Sequence, residues 1–333
     1  MHLILSRLAV ACLLGGSVLA QVKQGFIYET APFPECHAST IVETGPNEFV
    51  AAWFGGTEEG AKDVAIWGAR LKDGKWSAPF EIVREPKYSM YNPVLFYTKD
   101  KTLWLYYKFG LSPMTWNGGK IRSNDGGRTW GGKEYLPAGV YGPIKNKPLV
   151  LADGTIVSGT SVETDYAWTA WVERSSDHGK TWTKHGPIVY PGEAHGIIQP
   201  AMAMIGKTMR MYLRSTTQIG YITFADSKDG GRTWSDAKAT SLPNPNSGID
   251  TVTLKDGRTV LIYNHTKKGR SPLNIAVTKD GEKWSEPIVL ESEPGEYSYP
   301  AIIQAADGNL HATWTWKRQR VKHAVIPLAS LPQ

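Results

Sequence analysis

Ser123-Asn124-Asp125-Gly126-Gly127-Arg128-Thr129-Trp130 decides the fold, because it does not occur once. It returns as Ser175-Ser176-Asp177-His178-Gly179-Lys180-Thr181-Trp182, and again as Ser227-Lys228-Asp229-Gly230-Gly231-Arg232-Thr233-Trp234. Shortened copies stand at Lys72-Asp73-Gly74-Lys75-Trp76 and Thr278-Lys279-Asp280-Gly281-Glu282-Lys283-Trp284. The closing tryptophans fall at 76, 130, 182, 234 and 284, in steps of 54, 52, 52 and 50 residues. A fixed period of this length marks an architecture that stacks one supersecondary unit.

A second series repeats in step with the first. Short turns at Asn47, Asp100, Asp153, Gly206, Asp256 and Asp307 separate β-rich runs such as Lys147–Leu151 and Thr155–Ser158. Asp-Gly between two such runs is a strong hairpin signal. Each repeat therefore reads as a hairpin, a third strand, the Ser-x-Asp-x-Gly-x-Thr-Trp turn and an outer strand. Six hairpins at this spacing fill Gln21 to Gln333, so the expectation is one all-β domain, a six-bladed β-propeller. In each turn the Asp accepts backbone N–H groups, the Gly supplies a positive φ and the Trp packs between sheets. Asp125, Asp177 and Asp229 are thus read as structural.

Arg7 followed by the apolar run Leu8–Leu19 and by Val18-Leu19-Ala20 reads as a signal peptide over residues 1–20, leaving an exported chain, periplasmic or secreted. The run falls short of the roughly 20 apolar residues that a membrane span needs. Cys12 leaves with the signal and Cys36 remains alone, which excludes an internal disulfide and a cysteine metal cluster. The formal charge of +6 is spread along the sequence, which argues against nucleic acid and suits an anionic ligand. No phosphate-binding glycine loop, His-Glu-x-x-His helix or other cofactor or metal motif is present. The expected protein is a monomer whose partner is an acidic glycan or glycoconjugate.

In a propeller the first strand of each blade lines a central channel. Those stretches carry His37, Asn92, Lys145, Lys147, Gln199, Asp250, Tyr297 and Tyr299 at a similar phase of the repeat. Polar groups converging from six directions suggest a ligand site at the channel mouth. The alternative is that they satisfy one another, as buried polar groups must.

The Asp-containing turns and their spacing resemble the Asp boxes of the sialidase (neuraminidase) superfamily over the whole mature chain. That resemblance implies a carboxylate-binding set of arginines, an acidic acid/base catalyst and a tyrosine nucleophile activated by a glutamate. Arg214 in Met211-Tyr212-Leu213-Arg214-Ser215 and Arg270 before Leu273–Val277 match two of the arginines. Tyr297 in Glu296-Tyr297-Ser298 resembles the nucleophile, and Glu59 in Gly55-Gly56-Thr57-Glu58-Glu59-Gly60 lies in the loop of the acid, with Asp63 close behind. Two positions depart from the pattern. Pro34-Glu35-Cys36-His37-Ala38 replaces the first arginine's motif, and Gln199 stands where the activating glutamate belongs. A branch of sialidase-like proteins shares the Pro-x-Cys-His-Ala-Ser, Asn-Lys-Pro and Pro-Asn-Pro-Asn-Ser-Gly stretches.

Three functions follow. The first is an exo-glycosidase removing sialic acid or a related acidic sugar, with Glu59 as acid, Tyr297 as nucleophile and Arg214 and Arg270 on the carboxylate. The second is a uronate lyase in which His37 or a tyrosine removes a proton, since β-elimination needs no nucleophile. The third is a binding propeller without turnover. Lys145, Lys147, Asn92, Gln199, Asp250 and Tyr299 complete the expected ligand-binding set, and Trp116 is a candidate stacking platform.

Overall fold

The computed structural model describes residues 21–332, so the signal-peptide reading of residues 1–20 lies outside the described residues. Twenty-five strands and one short 3-10 helix (Leu328–Ser330) are present, and the strands form six antiparallel sheets of four or five strands. We number these blades 1 to 6 in chain order of their inner strands. Blade 1 runs from its inner strand Glu35–Gly45 outward to Phe80–Val83, and blade 2 from Ser89–Tyr97 to Gly131–Tyr135. Blades 3, 4 and 5 begin at Leu149–Val150, Ile197–Ile205 and Asp250–Thr253. Blade 6 consists of Tyr297–Gln304, Leu310–Trp316 and Arg320–Ile326. Its fourth strand is Lys23–Phe26 from the other end of the chain, which closes the ring. The expected six-bladed all-β propeller is what the chain forms.

The repeated turns do what their chemistry requires. Asp177 Oδ1 accepts from the N–H groups of Lys180 (3.1 Å) and Thr181 (2.9 Å), and its Oδ2 accepts from Thr181 Oγ1 (2.6 Å). These donors hold the carboxyl far below the usual range, and Asp125 and Asp229 repeat the pattern. Each turn's tryptophan packs against a cluster shared with the preceding blade: Trp130 against blades 1 and 2, Trp234 against blades 3 and 4, Trp284 against blades 4 and 5. Trp76 seals blade 1 against blade 6. Blade 6 has no such tryptophan, and Leu328 and Leu331 of the C-terminal tail pack there instead. The core is thus six interblade seams, each of which burial of apolar surface stabilises. Among the described residues no helix is long and apolar enough to cross a membrane.

One irregularity recurs and matters for the site. In blades 1, 2, 4 and 6 the ladder between inner and second strand skips, so that two inner residues oppose one. The first residue of each bulge has positive φ although none is glycine: Ala38 (57°), Asn92 (37°), Gln199 (54°) and Tyr299 (49°). Left-handed backbone at such residues costs of order 1–3 kcal/mol each and is characteristic of functional sites. A bulge re-aims the side chain it carries. Here the bulges of blades 4 and 6 aim Gln199 and Tyr299 at one place.

Candidate active site

All inner strands start, and all second strands end, on the same face of the ring, and the bulges lie just inside it. Tyr299 occupies the centre. Its hydroxyl oxygen accepts hydrogen bonds from Arg214 Nη1 (2.6 Å) and Gln199 Nε2 (3.2 Å), and its ring lies 4.2 Å from that of His37, centroid to centroid. The Arg214 and Arg270 guanidiniums each stand 5.7 Å from the same ring. Arg214 is set there because it pairs with Ile198, beside the bulge that carries Gln199. Its Nε is spent on Asn246 Oδ1 at 2.7 Å.

Around this centre runs a charged rim. Glu296 accepts from Arg270 Nη1 (2.9 Å) and sits 3.2 Å from Arg318 Nε, while Arg318 Nη1 donates to Glu59 at 2.7 Å. Both carboxylates are about a third exposed, so solvent reaches them. His37 lies between them, 3.7 Å from Glu59 through Nδ1 and 3.6 Å from Glu296 through Nε2. Burial, reinforced by the charges of Arg318, Arg270, Arg214 and Lys145, holds His37 well below its ordinary value, so the imidazole is neutral at neutral pH. The network assigns its tautomer. Ser298 Oγ gives its one hydrogen to Glu296 (3.0 Å) and therefore accepts from His37 Nε2 (2.9 Å). Nδ1 is left as the basic nitrogen, buried and without a hydrogen-bond partner.

The structure corrects several sequence expectations. Tyr297 does not face the site. It is 1% exposed and packs in the seam between blades 5 and 6 with Leu273, Ile302 and Trp314. Strand alternation turns its side chain away from that of Ser298, and the bulge at Tyr299–Pro300 brings the next tyrosine to the channel instead. Asp63 is exposed and accepts from Thr57 N (3.0 Å) and Oγ1 (2.7 Å), closing the loop that carries Glu59 rather than joining the site. Lys145, Lys147, Asn92 and Asp250 face the channel below the mouth, already engaged. Lys147 Nζ binds Asp250 (2.7 Å), Asp250 also accepts from Ile302 N (2.9 Å), and Asn92 donates to Ile144 O (3.1 Å). Trp116 is buried edge-on against Tyr91, centroids 5.7 Å apart, and is no platform.

Glu59, His37, Arg214, Arg270, Gln199 and Tyr299 are brought together as expected. Arg318, Glu296, Ser298 and Asn246 complete the cluster and were missed. Arg318 stands in the turn after the second strand of blade 6, as Arg214 ends the second strand of blade 4. That shared place in the repeat was the available signal.

A cleft of about 800 Å3 lies elsewhere, on the face opposite the mouth, between the blade 1 hairpin turn at Gly45–Pro46 and the Asp125 turn. Its polar groups are largely spent on one another: Lys72 on Glu48, Arg70 on the carbonyls of Gly127 and Arg128, Asp125 on its own turn. Convergent polar side chains at strained backbone mark the channel mouth as the site.

A family model described as a BNR repeat-like domain matches residues 47–312. No curated protein sequence matches the chain. Among solved structures it is similar to a protein of unknown function from Dyadobacter fermentans (18% identity, TM-score 0.77, 91% of this chain and 98% of that one). It is also similar to the Hadza microbial sialidase Hz136 (18%, TM-score 0.75, 90% and 66%) and to the NanB sialidase of Streptococcus pneumoniae (12%, TM-score 0.77, 92% and 71%). At these identities the likeness concerns the fold.

Proposed function

Because the chain belongs to the BNR repeat-like domain family and gathers two guanidiniums around one phenol, with a third on the carboxylates beside it, we propose that it is a sialidase-like exo-glycosidase removing a terminal acidic sugar from glycans. The observation that carries this reading is Tyr299, held at the channel mouth by Arg214 and Gln199. In this reading the Tyr299 oxygen attacks the anomeric carbon as the glycosidic C–O bond breaks, its proton passing to water, and a water molecule then hydrolyses the glycosyl–tyrosine bond to return the phenol. Arg214 stabilises charge on the phenol oxygen, and Glu59 delivers a proton to the leaving group. Arg270 spends a single side-chain hydrogen bond on Glu296, so its remaining donors meet the sugar carboxylate, with Arg318 beside it. The reading of residues 1–20 as a signal peptide supports an exported enzyme.

One observation favours a second chemistry. Gln199 cannot take the proton of Tyr299, whereas His37, its ring 4.2 Å from that of Tyr299, keeps an unpartnered nitrogen, Nδ1, just beneath the mouth. That pairing suits β-elimination from a uronate, with the arginines neutralising its carboxylate. One experiment separates the two: the protein is offered a fluorogenic sialoside beside uronate-containing glycans, with fluorescence and ultraviolet absorbance both recorded. Fluorophore release without absorbance gain is the expected result. Absorbance from an unsaturated uronate instead establishes a lyase, and neither signal from any glycan removes both chemistries.

A further inference from the structure

The segment Pro143–Lys147 contributes almost nothing to the sheet of blade 3, whose inner strand is reduced to Leu149–Val150. Its side chains reach across the channel instead. Asn146 Nδ2 donates to two carbonyls of the blade 4 bulge, Gln199 O (3.0 Å) and Pro200 O (3.2 Å). Lys145 Nζ donates to Ile249 O of blade 5 (2.9 Å) and to Pro300 O of the blade 6 bulge. The segment is itself held from blade 2, where Lys108 Nζ donates to Pro143 O (2.9 Å) and Asn92 Nδ2 to Ile144 O (3.1 Å).

These contacts answer a need the bulges create. Where the ladder skips from Ile198 to Ala201 and from Ser298 to Ala301, the intervening residues have no ladder partner, and a buried carbonyl left bare is costly. A neutral donor would suffice for that need. Lys145 is 4% exposed, its bonds fall on carbonyls rather than a carboxylate, and its ammonium lies 5.8 Å from the Tyr299 ring. Burying an ammonium on such terms is expensive unless its position serves another purpose.

We propose that Lys145 and Asn146 are positioning residues of the reaction centre, fixing Tyr299 and Gln199 through the carbonyls of the bulges that present them. This rests on Tyr299 being the reacting group. Lys145 does not touch substrate in this account; it acts through the backbone of blade 6. Asp250, Lys147, Arg214, His37 and Tyr299 are the charged or titratable groups facing it. Burial brings Lys145 down to about 7 despite Asp250, so the clamp loosens as pH rises through neutrality.

The test compares wild type with Lys145→Met, Lys145→Arg and Asn146→Ala, using turnover of an activated acidic glycoside and NMR of protein carrying 13Cζ-tyrosine. The Tyr299 resonance is identified by its loss in Tyr299→Phe. Lys145→Met is expected to lower kcat by about 100-fold with KM within about twofold, the scale of a 1 Å misplacement. Lys145→Arg should recover part of the loss. The Tyr299 resonance should move in Lys145→Met and Asn146→Ala, and its pH step near 7 in the wild type should vanish in Lys145→Met. Unaltered kcat and an unmoved Tyr299 resonance in a folded Lys145→Met overturn the proposal. If Lys145→Met does not fold, Asn146→Ala decides by the same two readouts. If wild type turns over no acidic glycoside, the functional reading fails and the resonance alone judges the clamp.

Discussion

At the scale of single residues, the site is governed by one exchange: an amide at position 199 where the resemblance called for a carboxylate. Gln199 Nε2 donates to the Tyr299 oxygen at 3.2 Å, and Gln199 Oε1 is occupied by Arg214 at 3.3 Å. Both donors stabilise charge on the phenol oxygen, and neither removes its proton. Gln199→Glu is therefore expected to raise hydrolysis of an acidic glycoside, through kcat, because a base is restored beside the proposed nucleophile. Turnover measured on the purified variant checks this, and a fall in hydrolysis with a gain in eliminated product would assign the amide to the lyase chemistry. Most of the residues here were legible in the sequence as types: His37 and Gln199 from the phase of the repeat, and Glu59, Arg214 and Arg270 from the resemblance. That Tyr299 rather than Tyr297 faces the mouth was not legible, because a positive φ at Tyr299 carries no residue-type signal. Glycine would have announced the bulge, and Ala38, Asn92, Gln199 and Tyr299 do not.

At the scale of elements, turn chemistry and site chemistry are separable. The Asp177 turn lies at the opposite end of its blade from the channel mouth, and its carboxylate serves only its own loop. Asp177→Ala should lower stability by about 1–2 kcal/mol, the scale of a lost helix cap, kept modest by solvent screening. The urea midpoint should fall at unchanged slope, with turnover per folded molecule unaltered. A loss of turnover without loss of stability would mean that the turn communicates with the mouth. Gly179 in the same turn is a stricter position: its φ is 82°, and a Cβ there would stand 2.6 Å from Tyr106 Oη. These turns were readable because Asp, Gly, Thr and Trp each have one physical role at a fixed offset. The Lys145-Asn146-Lys147 stretch was readable as polar but not as a tether, since its partners, backbone carbonyls and the Asp250 carboxylate, lie on other blades.

At the scale of the whole molecule, the ring is closed by seams, and the one between blades 6 and 1 contains a titratable pair. His311 Nδ1 and His323 Nε2 are 2.9 Å apart, both buried, with His311 stacked on Phe49 at 4.0 Å. Burial lowers His311 to about 4 and, with His311 beside it, His323 to about 3. Groups depressed on folding favour the folded state while neutral. Their contribution is intact above the ordinary histidine value of about 6.5 and is lost progressively as pH falls from there toward 3. Unfolding free energy is thus expected to decline over that window, and His323→Leu should flatten the decline. Equal slopes in both proteins would remove the pair from the account. The six-fold repeat made this architecture legible from period alone, whereas the closing strand Lys23–Phe26 carried no repeat signal. Arg318 was missed although it follows the second strand of blade 6 much as Arg214 ends that of blade 4, because no copy of the Ser-x-Asp-x-Gly-x-Thr-Trp turn marks blade 6.

The central claim is that Tyr299, not Tyr297, is the chemical centre of an acidic-sugar enzyme. Turnover of the best activated acidic glycoside by Tyr299→Phe and Tyr297→Phe, measured side by side on proteins of matched thermal stability, tests it most directly. No detectable turnover is expected in Tyr299→Phe, and turnover close to wild type in Tyr297→Phe. The reverse pattern, or full turnover in Tyr299→Phe, would contradict it.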